Sequence, residues 1–185
     1  MAGSLVKVDE FTISSPVASV ILGGGSSGSS TLNVSIDSTY DVYKVQVSNV
    51  KVNTDDALSM RVTKGGTAQD DANYDDAKKY LKSGSGFGNI SNTNATQVDF
   101  TATIDSGISA SNGNGVAYLF NFANASEYSF VTIESTHFQY NDNEGRGFAG
   151  GFAHTVASAS DGILFKTNGG NNITSGNFTL YGLKK

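Results

Sequence analysis

Only two imidazoles, His137 and His154, stand in the chain, so any proton relay or nitrogen-ligated metal would have to use them. They lie in different strand-like stretches with no carboxylate at a ligand spacing, and both read as ordinary strand histidines. Oxygen ligands are more plentiful. Asp70, Asp71, Asp75 and Asp76 form one acidic set, and Asp142, Asn143 and Glu144 form a second. A calcium loop alternates its carboxylates around a glycine; neither set does so, and both read as solvated loops. Serine is abundant, but neither histidine stands in a triad context. The run Gly84-Ser85-Gly86-Phe87-Gly88 lacks the closing Lys-Ser/Thr and the following helix of a phosphate loop. The expectation is a chain with no catalytic residue, no cofactor and no metal, hence not an enzyme.

Aromatic side chains offer recognition chemistry instead. Tyr74, Tyr80, Phe87, Tyr140 and Phe148 fall in or beside loop-like stretches. A ring set among Asn, Asp and Gly suits a protein interface or a sugar ring, and these five are the candidate partner or glycan contacts. Phe100, Phe120, Phe122, Phe165 and Phe178 lie in strand-like runs and are expected in the core.

The elements that must position these residues read as strands. Twenty-two Gly against one Pro, with 11 Phe, 8 Tyr and no Trp, suit strands and tight turns. With 185 residues and no cysteine, one core held by packing and strand pairing is expected. A net charge of -5, with the 12 Lys and Arg scattered, argues against nucleic-acid binding. No apolar run approaches the length of a membrane span and the first ten residues lack a leader pattern, so membrane insertion is not expected.

Leu5, Val6, Val8, Phe11 and Ile13 mark a first extended segment, and Val17 to Leu22 a second. The Gly/Ser-rich run 23–31 reads as a flexible linker or loop. It divides an N-terminal arm, residues 1–22, from a body of residues 32–185. Leu32, Val34 and Ile36 alternate with polar neighbours, as do Tyr43, Val45 and Val47, then Leu58, Met60 and Val62. Further period-two runs are Gln97 to Ile104, Val116 to Phe122 with Tyr118, Phe120 and Phe122 in register, and Tyr128 to Ser135. Gly150 to Val156, Asp161 to Lys166 and Ser175 to Leu183 complete the set. Residues 83–94 and 141–146 read as loops, while 70–82 mixes an Asp-rich helix start with partial alternation. About ten short strands separated by Gly, Asn and Ser predict an all-β, two-sheet antiparallel sandwich.

Three stretches carry a resemblance. "STYDVYKVQVSNV", "GVAYLFNFANASEYSFVTIES" and the closing "SGNFTLYGLKK" are similar to segments of small β-sandwich virion structural proteins, of decoration or fibre type, from tailed bacteriophages of marine bacteria. The matching positions are Tyr40, Asp41, Tyr43 and Lys44, then Tyr118, Phe120 and Phe122, and finally Gly176, Leu180, Tyr181 and Gly182. The resemblance spans roughly residues 36 to 185. It implies a jelly-roll-like sandwich, with the 77–81 segment extended rather than helical. It further implies a non-enzymatic head decoration or head-fibre protein, assembled in the host cytoplasm into the virion. Self-association, with a trimer favoured, and docking on major capsid or tail proteins are expected. Leu5, Val6, Val8, Phe11 and Ile13 are then the docking arm. The alternative is a tail-appendage receptor-binding or carbohydrate-binding module that contacts host surface glycan.

Overall fold

The computed structural model describes residues 4–84, 86–139, 142 and 144–184. Thirteen strands account for its regular structure: β1 (Ser4–Thr12), β2 (Ser19–Gly23), β3 (Val42–Val52), β4 (Asp56–Lys64), β5 (Thr67–Ala68), β6 (Tyr74–Lys82), β7 (Gly86–Ala95), β8 (Val98–Ile104), β9 (Gly113–Phe120), β10 (Ser129–Gln139), β11 (Glu144–His154), β12 (Gly162–Thr167) and β13 (Ile173–Lys184). They form an eight-stranded sheet in the order β1-β13-β3-β9-β10-β11-β6-β7 and a smaller sheet, β2-β12-β4-β5, in which β8 also pairs with β4. The fold is the expected two-sheet antiparallel sandwich.

Its topology is a jelly roll with an insertion. Antiparallel pairs β1·β13, β2·β12, β3·β9 and β4·β8 follow one another like rungs of a ribbon. Apart from the turn from β4 to β8, which share a sheet, each step along the ribbon crosses between sheets, so the order 1-13-3-9 in one sheet is mirrored by 2-12-4-8 in the other. The remaining long strands are guests. β6 and β7 enter between β4 and β8, β10 and β11 between β9 and β12, and all four extend the large sheet beyond β9.

Alternation explains which strands hold the core. Tyr43, Val45, Val47, Leu58, Met60, Val62, Phe178 and Leu180 are all buried. Phe100 and Phe165 of the smaller sheet meet Phe178 of the larger in an edge-packed series, with centroids 5.6 and 5.2 Å apart. Aromatic pairs at that spacing add about 1 kcal/mol beyond the area they bury.

Several expectations change. The N-terminal segment is no detached arm. β1 pairs with β13 from Ser4↔Lys184 to Thr12↔Asn177, Val8 and Phe11 pack on the core, and Ile13 is buried. Asp9, also buried, accepts a hydrogen bond from the Gly23 N–H at 2.9 Å and locks β1 to the end of β2. Of the linker or loop expected at 23–31, the structure forms a loop, and a fastened one. Gly23, Gly24 and Gly25 take φ of 70°, 76° and 61°, a left-handed run open to glycine, and reverse the chain. Gly24 N donates to Asp161 O (2.8 Å) and Gly25 N to Val34 O (2.9 Å), which fastens the turn.

Leu32 to Ile36 alternates in sequence yet forms no strand. Asn33 turns left-handed (φ 52°), Leu32 is exposed, and single bonds such as Ile36 N to Asp161 O replace a ladder. Residues 86–95 are the converse, a strand where a loop was expected. β7 is an edge strand, exposed along most of its length, so no apolar alternation marks it. β11 likewise begins at Glu144 inside the expected 141–146 loop. In β9 the buried side chains are Ala117 and Leu119, with Gly113 also buried at its start, which places Tyr118 and Phe120 on the outer face; Phe120 is only half-buried and is not a core residue. Phe122, just past the strand, is buried.

Two segments that carry the resemblance meet at β3 and β13. Tyr43 pairs with Gly182, Lys44 with Tyr181 and Val45 with Leu180. The Tyr40 ring lies over Gly182, where a Cβ would come within 2.3 Å of it. Gly182→Ala is expected to cost about 1–3 kcal/mol in urea unfolding. In a Tyr40→Ala background the same substitution should cost less than about 0.5 kcal/mol, since the obstructing ring is gone.

Candidate interaction surface

The inserted strands build a surface with two distinct faces. Along β11, inward positions Glu144, Phe148, Phe152 and His154 are buried, while outward positions are Gly145, Gly147, Ala149, Gly151 and Ala153. Five small residues at a spacing of two leave a trough. Its walls are the outward side chains of β10 (Phe130, Thr132, Glu134, Thr136 and Phe138) and of β6 (Asp75, Ala77, Lys79 and Leu81), the two strands flanking β11. The floor is bare for a physical reason: a Cβ at Gly151 would lie 2.2 Å from the Val131 carbonyl oxygen of the neighbouring strand.

Three shallow depressions line this face. One of about 770 Å³ lies between Phe130, Thr132, Asp75 and Thr93. A second, about 390 Å³, lies by Leu81, Phe87 and Thr136, and a third, about 290 Å³, by Tyr118, Glu134 and Ala149. Phe130 and Phe138 are 44% and 37% exposed, which leaves ring area to cover a ligand at either end of β10.

The inward face of the same strands is polar. On β6 it presents Tyr74, Asp76, Lys78 and Tyr80, with β8 packed across β10 and β11. Asp76 and Lys78 form an enclosed ion pair at 2.8 Å, each side chain 1% exposed. Lys78 Nζ also donates to the Asp99 carbonyl (2.9 Å) and sits 5.1 Å from the Phe148 ring centroid, while Asn92 donates to Asp76 at 2.8 Å. Toward the hairpin tips Arg146 gathers Glu144, Asp142, Gln139 and the Tyr80 hydroxyl, with its guanidinium over the Tyr80 ring.

The five candidate aromatics separate on this framework. Tyr74 is fully buried, and its hydroxyl takes the Val62 N–H (3.1 Å) and donates to Gln69 O (2.8 Å), so it is a core residue and not a partner contact. Burial pushes its phenol up to about 12. Phe148, 2% exposed, is likewise withdrawn beneath Lys78 and Tyr80. Tyr80 is half-buried and committed to Arg146. Phe87 is 78% exposed on the edge strand. Tyr140 lies outside the described residues.

Local sequence reasoning passed over Phe130, Phe138 and Leu81. Their signal was present as the alternate Gly and Ala of residues 145–153, a strand with one face of small residues only.

The acidic sets are dispersed. Asp76 turns inward to Lys78, Asp75 faces out, Asp70 lies 3.8 Å from Arg61, and Asp142 and Glu144 both meet Arg146. Among the described residues no group of three or more His, Asp or Glu could hold a metal ion. Both histidines are enclosed. Among the described residues neither ring nitrogen of His137 has a hydrogen-bond partner, and burial, reinforced by Arg146, brings its pKa down to about 4. Burial and then Lys64 lower His154, whose ring rests 4.9 Å from Tyr74. Gly24-Gly25-Ser26-Ser27-Gly28 matches the G-x-S-x-G spacing literally, but Ser26 is exposed on a three-residue turn with no helix behind it.

No family model matches the chain, and neither a curated protein nor a solved structure does.

Two measurements probe the inward face. The unfolded chain protonates His137 near 6.5, whereas the native state resists until about 4. Between those values the unfolded state binds more protons, so stability falls as pH falls, by up to about 3 kcal/mol at the lower end. His137→Phe should flatten the dependence between about pH 7 and about pH 5 in urea unfolding, leaving a smaller slope of the same sign from His154. Lys78→Met alone strands a buried carboxylate and should cost about 3–5 kcal/mol, while Asp76→Leu/Lys78→Met should cost less than the single change.

Proposed function

We propose that this chain is a non-enzymatic structural protein of a tailed-bacteriophage virion, a head decoration or head-fibre protein that self-associates and docks on the particle. One observation carries the reading. The segments that carry the resemblance, Tyr40 to Lys44 and Gly176 to Gly182, are far apart in sequence yet touch where Tyr43 pairs with Gly182, Lys44 pairs with Tyr181 and Tyr40 sits on Gly182. The jelly-roll ribbon agrees with this reading, and the inserted strands add area to its outer face instead of enclosing a deep cleft. Its mechanism is burial and strand pairing. β1, with Leu5 and Val6 on the free side of the large sheet, remains a docking element, now as a fixed edge strand.

Quantitative mass spectrometry of purified particles tests the proposal. Copies comparable to the major capsid protein are expected, and absence from particles overturns it.

The trough favours a second reading, a carbohydrate-binding module of a tail appendage. Exposed Phe130 stands opposite Asp75 and Thr93 across a bare floor, an arrangement that offers a ring to the C–H face of a sugar and oxygens to its hydroxyls. Phe130→Ala should then abolish retention on bacterial surface polysaccharide in affinity electrophoresis, with the melting temperature unchanged. Equal retention of both proteins removes this reading.

A further inference from the structure

A sheet edge is a row of unpaired backbone N–H and C=O groups, and folded proteins blunt such edges with charge, proline, bulges or brevity. The other edges of this sandwich are blunted. β1 carries Lys7, Asp9 and Glu10 and a register break between Lys7 and Asp9, β2 is five residues long, β5 is two, and β8, seven residues long, carries Asp99, whose carbonyl accepts from Lys78 Nζ. β7 is blunted only at its far end, where the register breaks beyond Asn92 and Asn94 turns left-handed (φ 56°). It runs ten residues, Gly86–Ala95, without charge or proline, and no charged residue occurs between Lys82 and Asp99. Its pairing with β6 is regular from Lys82↔Gly86 to Asp76↔Asn92, so its free side is a regular template. Phe87, the most exposed of the large apolar side chains described, stands at its start.

We infer that the free edge of β7 pairs antiparallel with β7 of a second copy, joining two large sheets across a two-fold axis. The inference names the surface and partner of the self-association proposed above and rests on that reading in this respect. Charge selects the occupant. Behind the Gly86 half of β7, Lys79 reaches over to Asn89 Oδ1 at 2.7 Å; behind the Ala95 half, Asp75 accepts from the Asn94 N–H at 2.9 Å. A two-fold reverses one edge against the other, so the lysine end of each copy meets the aspartate end of its mate. A parallel arrangement would set like against like. The same reversal brings Phe87 of each copy toward the Thr93 to Ala95 end of the other, where its ring loses water. Between chains of net charge -5, an uncharged ten-residue edge is also a place where copies meet without like-charge contact.

Sedimentation velocity on the full chain, with amide hydrogen exchange over 86–95, tests this. The wild type is expected to dimerise, with exchange in 86–95 slowing as concentration rises. Ser91→Lys sets two lysines near the axis and should leave a folded monomer, and Phe87→Ala should weaken the dimer about tenfold or more. Leu5→Lys, on the opposite edge of the sheet, should leave the dimer intact. A wild-type monomer, a trimer, or a dimer dissociated by Leu5→Lys and not by Ser91→Lys overturns the inference. A monomer found at capsid-like copy number in particles overturns this pairing alone. A dimer absent from particles supports the pairing and overturns the virion assignment alone.

Discussion

The pairing of β13 with β1 on one side and β3 on the other is the constraint on which the sandwich depends. It closes a loop that spans nearly the whole chain, and the entropic cost of closure grows only slowly with length. The return is cooperative. Once β13 is seated, Phe178 and Leu180 face the core, Phe178 meets Phe165 across the sheets, and Tyr40 finds the gap at Gly182. With no cysteine in the chain, no covalent link shares this task. Backbone ladders and apolar contact between sheets do the work, and most of those contacts are remote in sequence, an arrangement associated with slow folding.

Around that closed ribbon the inserted strands follow different rules. The jelly-roll strands bury aliphatic and aromatic side chains between two sheets, whereas β6, β10 and β11 have a thinner cover and place Asp76, Lys78, Ser135, His137 and Arg146 inward. Buried charge of this kind is seldom a net source of stability, since the loss of hydration offsets the attraction. It does restrict alternatives. If β6 slipped by one residue, Asp75, Ala77 and Lys79 would turn inward and Lys78 would lose Asp76.

The outward faces follow from the same geometry. Strands β10 and β11 approach closely enough that residues such as Gly147 and Gly151 have no space for a side chain, and the trough is the visible result. Small residues chosen by backbone proximity on one strand thus shape a surface between walls supplied by two others. No single strand of the insertion would display it.

What the chain's own pattern determined was the fold class and the central strands. β3, β4, β8 and β13 each have one face in the core and one toward polar surroundings or solvent, so their burial is written as period two. The Tyr43 and Gly182 positions were legible for the same reason, as parts of strongly patterned strands, whereas Tyr40 precedes β3 and was marked only by the resemblance. What only the tertiary structure decided was who pairs with whom and which strands stand at an edge. β7 buries little on either face and so leaves no pattern, while Leu32 to Ile36 alternates and still lacks a ladder because Asn33 breaks it. Tyr74 resembled a loop aromatic until β6 paired with β11 and brought it beside Phe152 and His154. Periodicity records the two faces of one strand, whereas edges, closures and troughs are properties of neighbours that the chain brings together from a distance.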